Sequence, residues 1–122
     1  MKFYKCKKCG KVILMMKASA CPTVCCGDDM VELKAGETDG AVEKHVPVYE
    51  VKDGKVSVCV GSVAHPMLEE HHIAFIALET NKGEQIKYLK AGEEPKAEFA
   101  LLDGESVTAV YEYCNLHGLW KA

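Results

Sequence analysis

The sequence contains no apolar run long enough to span a bilayer, no surplus of positive charge, no segment with a sustained helical period and no internal repeat. The first absence argues against a membrane-spanning protein. The second argues against nucleic acid as a partner: the net charge is -3 at pH 7, which leaves no basic footprint for a phosphate backbone. The third leaves short strands and turns as the structural material. Lysines stand at positions 2, 5, 7 and 8, but the apolar run that follows, Val12 to Met16, is too short for a signal-peptide core and lies after two cysteines. The expected location is therefore the cytoplasm. With 122 residues and 48% apolar content, the chain can fill one ordinary domain, or a small module plus a compact one.

Cysteine, in contrast, is plentiful. There are seven, an odd number, and Cys25 and Cys26 are adjacent. Neighbouring cysteines reach disulfide geometry only with strain, so metal ligation accounts for them better than a disulfide framework does. Cys6-Lys7-Lys8-Cys9-Gly10 is a two-cysteine knuckle: two intervening residues put both sulfurs on one side of a turn, and Gly10 lets the backbone curl beneath them. The second pair arrives as Val24-Cys25-Cys26-Gly27 after a short strand over Val12 to Met15. Four thiolates so spaced suit zinc or a single iron. Cys21 is a fifth candidate, taken here as a non-ligand. A zinc staple is the plain alternative, since a module of about 35 residues cannot bury enough apolar surface to fold unaided.

The polar stretch Leu33 to Gly40 carries two glycines and marks a domain boundary, dividing the chain into residues 1–35 and 36–122. Beyond it, short strands alternate with turns. Val46 to Val51 and Lys55 to Val60 flank Asp53-Gly54, a strong hairpin signal. In the second of these, Val56, Val58 and Val60 share one face while Ser57 and Cys59 share the other, so Cys59 reads as a packed thiol. Ile73 to Leu78, Gln85 to Leu89, Ala97 to Leu101 and Val107 to Tyr113 continue the series. The expected fold is all-β: a small metal-binding module followed by an immunoglobulin-like antiparallel β-sandwich without that fold's disulfide.

Of the five histidines, His45, His65, His71 and His117 fall at the ends of strand-like segments, where loops can bring them around Cys114. Cys114-Asn115-Leu116-His117-Gly118 puts a thiolate and an imidazole three residues apart, within reach of one transition metal. Pro66 stiffens the chain after His65 and helps place its ring. His71 and His72 point to opposite faces if a strand starts there, so one of them is a bystander.

These stretches together resemble the desulfoferrodoxin family, the two-iron superoxide reductases. The resemblance rests on Cys6-x-x-Cys9, Cys25-Cys26-Gly27, Glu43-Lys44-His45-Val46-Pro47, Gly61-Ser62-Val63-Ala64-His65-Pro66-Met67, His71 and Cys114-Asn115-Leu116-His117-Gly118, and covers nearly the whole chain. It implies two non-haem irons: a desulforedoxin-like centre bound by Cys6, Cys9, Cys25 and Cys26, and a catalytic ferrous centre with His45, His65, His71 and His117 around the iron, Cys114 axial and the sixth position open. It selects His71 over His72, which stands where relatives commonly have tyrosine or tryptophan. It further implies one-electron reduction of superoxide to hydrogen peroxide without release of oxygen, a homodimer, and a rubredoxin-like electron donor. The residues Phe3, Tyr4 and Val12 to Met16 are suitable material for the dimer contact if they are exposed. Glu43, by the same resemblance, occupies the open position after oxidation and helps expel peroxide.

The chemistry agrees with that pattern. Neutral imidazoles preserve the positive charge of a bound cation, while one thiolate opposite the open position donates electron density to whatever binds there. Superoxide is an anion and the protein is acidic, so a local cation is needed, and Lys44 is the candidate. Two other readings use the same residues: an electron carrier or redox sensor built on the four-cysteine iron, and a non-catalytic module with two structural zincs.

Overall fold

Short strands carry the chain, as its periodicity predicts. The computed structural model describes residues 1–122 and divides into two units, Met1–Lys34 and Ala35–Ala122. The first contains β1 (Phe3–Lys5), β2 (Val12–Leu14), β3 (Val24–Cys25), β4 (Asp28–Asp29) and β5 (Val31–Glu32). β1 lies between β2 and β5, antiparallel to both. β3 and β4 form a two-residue ladder closed by Cys26 and Gly27, at φ 54° and 79°. Two successive positive φ values are the signature of a tight hairpin turn, and here one of the two positions is a cysteine. Only Phe3, Cys6 and Met30 are buried in this unit. Phe3, offered by the sequence as a dimer-contact residue if exposed, is only 2% accessible.

The second unit contains a one-turn helix α1 (Val42–His45), followed by β6 (Pro47–Lys52), β7 (Lys55–Val60), β8 (Ile73–Thr80), β9 (Gly83–Tyr88), β10 (Lys96–Ala100), β11 (Val107–Cys114) and β12 (Gly118–Lys121). They form two antiparallel sheets, ordered β10-β7-β6 and β12-β11-β8-β9. The inward faces meet in one core: Val56, Val58, Val60, Ala97 and Phe99 from the first sheet, and Ile73, Ile76, Leu78, Val110 and Cys114 from the second. The alternation along β7 is as the sequence requires, with three valines buried and Ser57 and Cys59 half-buried. The β6-β7 hairpin turns on Asp53 and Gly54, both at positive φ.

Six elements went beyond the sequence pattern: α1, β1, β12 and the two-residue strands β3, β4 and β5. α1 is one turn, too short to show a 3.6-residue period. β1 has three residues, and β12 opens on Gly118 (φ 77°), which reads as a turn. No helix is long and apolar enough to cross a membrane.

Two features of the second unit position the residues discussed next. The β8-β11 ladder shifts register between Tyr113 and Cys114, passing from the Tyr113-Phe75 pair to the Cys114-Ile73 pair. Such a bulge re-aims a side chain, and Cys114 ends fully buried. The β11-β12 hairpin closes on the Cys114-Gly118 pair, so Asn115, Leu116 and His117 form its tip.

Candidate metal centres

In the first unit, the sulfurs of Cys6, Cys9, Cys25 and Cys26 all lie within 4.8 Å of one another. Cys9 Sγ is 3.7 Å from Cys25 Sγ, which is 3.9 Å from Cys26 Sγ. Sulfurs arranged tetrahedrally about an ion at ~2.3 Å are separated by ~3.8 Å, so the four thiols fit a single zinc- or iron-sized cation. The knuckle is built from the backbone: Gly10 N–H donates to Cys6 O at 2.9 Å, and Cys9 N–H points at Cys6 Sγ at 3.5 Å. That N–H is the chief reason that the Cys6 thiol is lowered to about 6. Cys26 is pushed up to about 12, chiefly by hydrogen bonding to the sulfurs of Cys9 and Cys6, and Cys25 is raised by Cys9 and Cys6. Without a cation, then, one thiolate is held by thiols that keep their protons, whereas a metal lets all four ionise. The left-handed backbone at Cys26 is what allows neighbouring cysteines to face one point, at a cost of roughly 1–2 kcal/mol for a non-glycine residue. Cys21 is exposed and outside the cluster, its N–H bonded to Ser19 Oγ.

In the second unit, His45, His65, His71, His117 and Cys114 form the other cluster. The imidazoles make a closed ring of neighbours. His45–His65, His65–His71, His71–His117 and His117–His45 have centroids 4.7, 4.7, 4.9 and 4.8 Å apart, with rings crossed at 73°, 82°, 76° and 84°. Each comes from a different place. His45 ends α1, which is held by the turn after β7: Val63 N–H and Ser62 Oγ–H both donate to Glu43 O, at 3.0 and 3.2 Å. Gly61 (φ 81°) permits that approach, since a Cβ there would lie 2.7 Å from Lys44 O and 2.8 Å from Glu43 O. His65 and His71 come from the β7-β8 loop, and His117 from the β11-β12 tip.

Hydrogen bonds at the outer nitrogens decide which lone pairs face inwards. His45 Nδ1 donates to Ala41 O at 2.8 Å and His65 Nδ1 to Pro66 O at 2.6 Å, so in each neutral ring Nε2 is a bare acceptor. These two acceptors nevertheless stand 3.1 Å apart, and His117 Nδ1 is also 3.1 Å from His45 Nε2. Two lone pairs at that distance repel, whereas nitrogens at right angles about one ion at ~2.1 Å would be ~3.0 Å apart. His71 Nε2 is buried without a hydrogen-bond partner. The donor set therefore fits a cation at its centre. Burial lowers His45, His65 and His71, His65 to about 4, so these rings are neutral and ready to ligate near pH 7.

Cys114 Sγ lies 3.8 Å from His117 Nδ1. Burial pushes its thiol up, opposed by the main-chain N–H groups of His117 and Leu116, which aim at the sulfur as expected of a turn after a ligating cysteine. Glu43 and Lys44 sit side by side on α1, both exposed. Lys44 is near enough for its charge to help lower His45 and His71. His72 is outside the cluster, its Nδ1 3.0 Å from Leu68 O.

The residues around this centre that sequence reasoning passed over act through backbone and ring contacts. Trp120 stacks on His45 at 4.9 Å and 24°, and its Nε1–H donates to His117 O at 3.0 Å. Thr38 Oγ1 donates to the same carbonyl. Gly40 packs where a Cβ would meet Trp120, His45 and His117 at 3.0 to 3.3 Å. The one available signal was that Trp120 is the single tryptophan in the chain.

Comparison with known proteins gives a consistent result. The sequence model of the desulfoferrodoxin family matches residues 37–122. A desulfoferrodoxin of Nitratidesulfovibrio vulgaris is 47% identical over 119 residues, which span 98% of this chain and 93% of the relative. Among solved structures, the superoxide reductase of Treponema pallidum matches with a TM-score of 0.83 and 39% identity over 99% of this chain and 97% of its own. A superoxide reductase of Giardia intestinalis matches with a TM-score of 0.57 and 35% identity, over 66% of this chain and 95% of its own.

Proposed function

The chain belongs to the desulfoferrodoxin family, and from that premise we propose that it is a superoxide reductase. It adds one electron and two protons to superoxide, giving hydrogen peroxide and no oxygen. The observation that carries this reading is the closed ring of four imidazoles with one buried thiol beside it. His45, His65, His71, His117 and Cys114 hold the catalytic iron, and Cys6, Cys9, Cys25 and Cys26 hold a second. Bound at the five-donor centre, ferrous iron supplies the single electron that the reaction requires.

The chain's own residues do the rest. Imidazoles that ligate through a lone pair would leave the centre cationic, and the Cys114 thiolate would donate density that the N–H groups of Leu116 and His117 moderate. Lys44 draws the anionic substrate in against the protein's net charge of -3 and holds water from which protons are taken. Glu43, on the same exposed turn, would be the acidic group that helps the product leave. Residues 1–35 act as the four-cysteine iron module and 36–122 as the reductase domain. The protein works in the cytoplasm as a homodimer, accepting electrons from a rubredoxin-like carrier. With Phe3 buried, the dimer contact would draw on Tyr4 and the Val12 to Met16 run, in which Met16 is 86% exposed.

Metal content and visible absorption, before and after a mild oxidant, test the reading. Two irons per chain are expected, with tetrathiolate ferric bands joined by a sulfur-to-iron band that appears on oxidation and is missing in Cys114→Ser. That variant should also lose reaction with superoxide by more than ~100-fold, beyond the effect of an outer-sphere partner. Two zincs and no colour in protein made with ample iron would overturn the proposal.

A further inference from the structure

Asn115 lies between Cys114 and His117, yet its contacts all run to the chain around His71. Its Oδ1 accepts the N–H of His72 at 2.9 Å, and its Nδ2 donates to the carbonyl of Glu70 at 3.0 Å. Its own N–H donates to His72 O at 3.1 Å. The carboxamide thus grips the peptide groups on both sides of His71, and the two partners fix which end of the amide is oxygen. A residue 44 positions away in sequence could have been attached to any loop at this rim; this one brackets a single histidine.

His71 is also the ring with the least support of its own. His45 and His65 each anchor an outer nitrogen on a carbonyl, through Ala41 and Pro66. His71 has no such anchor, and its main chain is tied locally only to Leu68, by a reciprocal pair at 2.9 and 3.2 Å. Its Nε2 is nevertheless buried, without a partner, inside the cluster. Something outside the loop must hold the backbone, and Asn115 is the residue in place to do so.

We propose that Asn115 is a positioning residue that sets His71 in register with Cys114, so that the thiol and this imidazole reach one metal ion together. Because Asn115 follows Cys114 directly, any movement of the hairpin tip carries the His71 backbone with it. The inference rests on the reading that both residues ligate one ion, and does not depend on the reaction that the ion performs. Losing an outer partner of this kind typically lowers metal affinity 10–100-fold.

The test uses the full chain loaded with iron and challenged by a competing chelator, with Asn115→Ala and Asn115→Asp compared with the unaltered protein. Asn115→Asp keeps the acceptor for His72 N–H but faces Glu70 O with a second acceptor. We expect Asn115→Ala to release iron from the five-donor centre at 10–100-fold lower chelator concentration, with a shifted sulfur-to-iron band and an altered ferric resonance spectrum. Asn115→Asp should fall between, and the tetrathiolate bands should be unchanged in both, serving as an internal control. Amide hydrogen exchange at His72 should rise in both variants. Retention within twofold of the unaltered protein, with the same band and resonance, would overturn the proposal. Should Asn115→Ala not fold, the aspartate variant decides by the same criterion. If the unaltered protein shows no sulfur-to-iron band at all, the five-donor reading itself fails, which is a separate result.

Discussion

The two metal clusters are built in opposite ways. In the first unit the strands have two or three residues, only three side chains are buried, and one of those belongs to the four-sulfur cluster itself, Cys6. Three of the four sulfurs face the surface or its margin. In the second unit, strands of up to eight residues enclose an apolar core, and His45, His65 and Cys114 are almost fully buried at its end. The first unit needs its metal in order to exist as a fold, whereas the second exists as a fold that presents donors to a metal. The contrast follows from buried area: a 34-residue unit with a single buried aromatic cannot offset its chain entropy, but a two-sheet core can.

The largest effect that would break this comparison is chelation. Removing metal from the full chain should unfold residues 1–34, because a binding energy of about 10–16 kcal/mol there is folding energy. Backbone amide signals of residues 35–122 should stay dispersed. Collapse of both units together, or of neither, would show the contrast to be false. Next comes the core itself. Leu78 is fully buried, and Leu78→Ala should lower the denaturant stability of the second unit by about 2–5 kcal/mol while the four-cysteine colour persists until that unit's own transition.

A smaller effect concerns Glu112, which is fully buried on β11 opposite Ile76 and Trp120, with neither carboxylate oxygen hydrogen-bonded. Burial raises its pKa to about 9. The folded state then binds a proton that the unfolded state loses near pH 4.5, so stability falls as pH rises between these values, by at most about 1.4 kcal/mol per pH unit, and levels off above pH 9. Glu112→Gln should flatten that slope in urea titrations from pH 5 to pH 8.5; an unchanged slope would assign it to other groups. The smallest effect is at Lys44, which is exposed. Lys44→Ala should slow superoxide capture roughly tenfold at low salt and weaken its dependence on ionic strength, measured by pulse radiolysis.

Local rules made much of this molecule legible. Alternating Val56, Val58 and Val60 gave the inward face of β7, Asp53-Gly54 gave its hairpin, and the spacing of the two cysteine pairs marked a four-sulfur cluster. Features that depend on distant contacts were not legible. The register shift that turns Cys114 inwards arises between paired residues more than thirty positions apart in sequence. Gly61 looks like any turn glycine until α1 is seen pressed against it, and Asn115 looks like a hairpin-tip residue until its amide is found on either side of His71. The adjacency of Cys25 and Cys26 pointed to a metal without saying how neighbouring side chains could face one point, which the left-handed backbone at Cys26 explains.

The stacking of Trp120 on His45 makes the protein its own optical gauge. Trp120 is the only indole in the chain, it is 4% exposed, and it touches one donor ring while bonding the carbonyl of another. Its emission therefore reports one location. A coloured ion arriving beside His45 should quench that emission, and filling the four-cysteine site should be seen through its own absorption, so the order in which the two clusters load can be followed without a label.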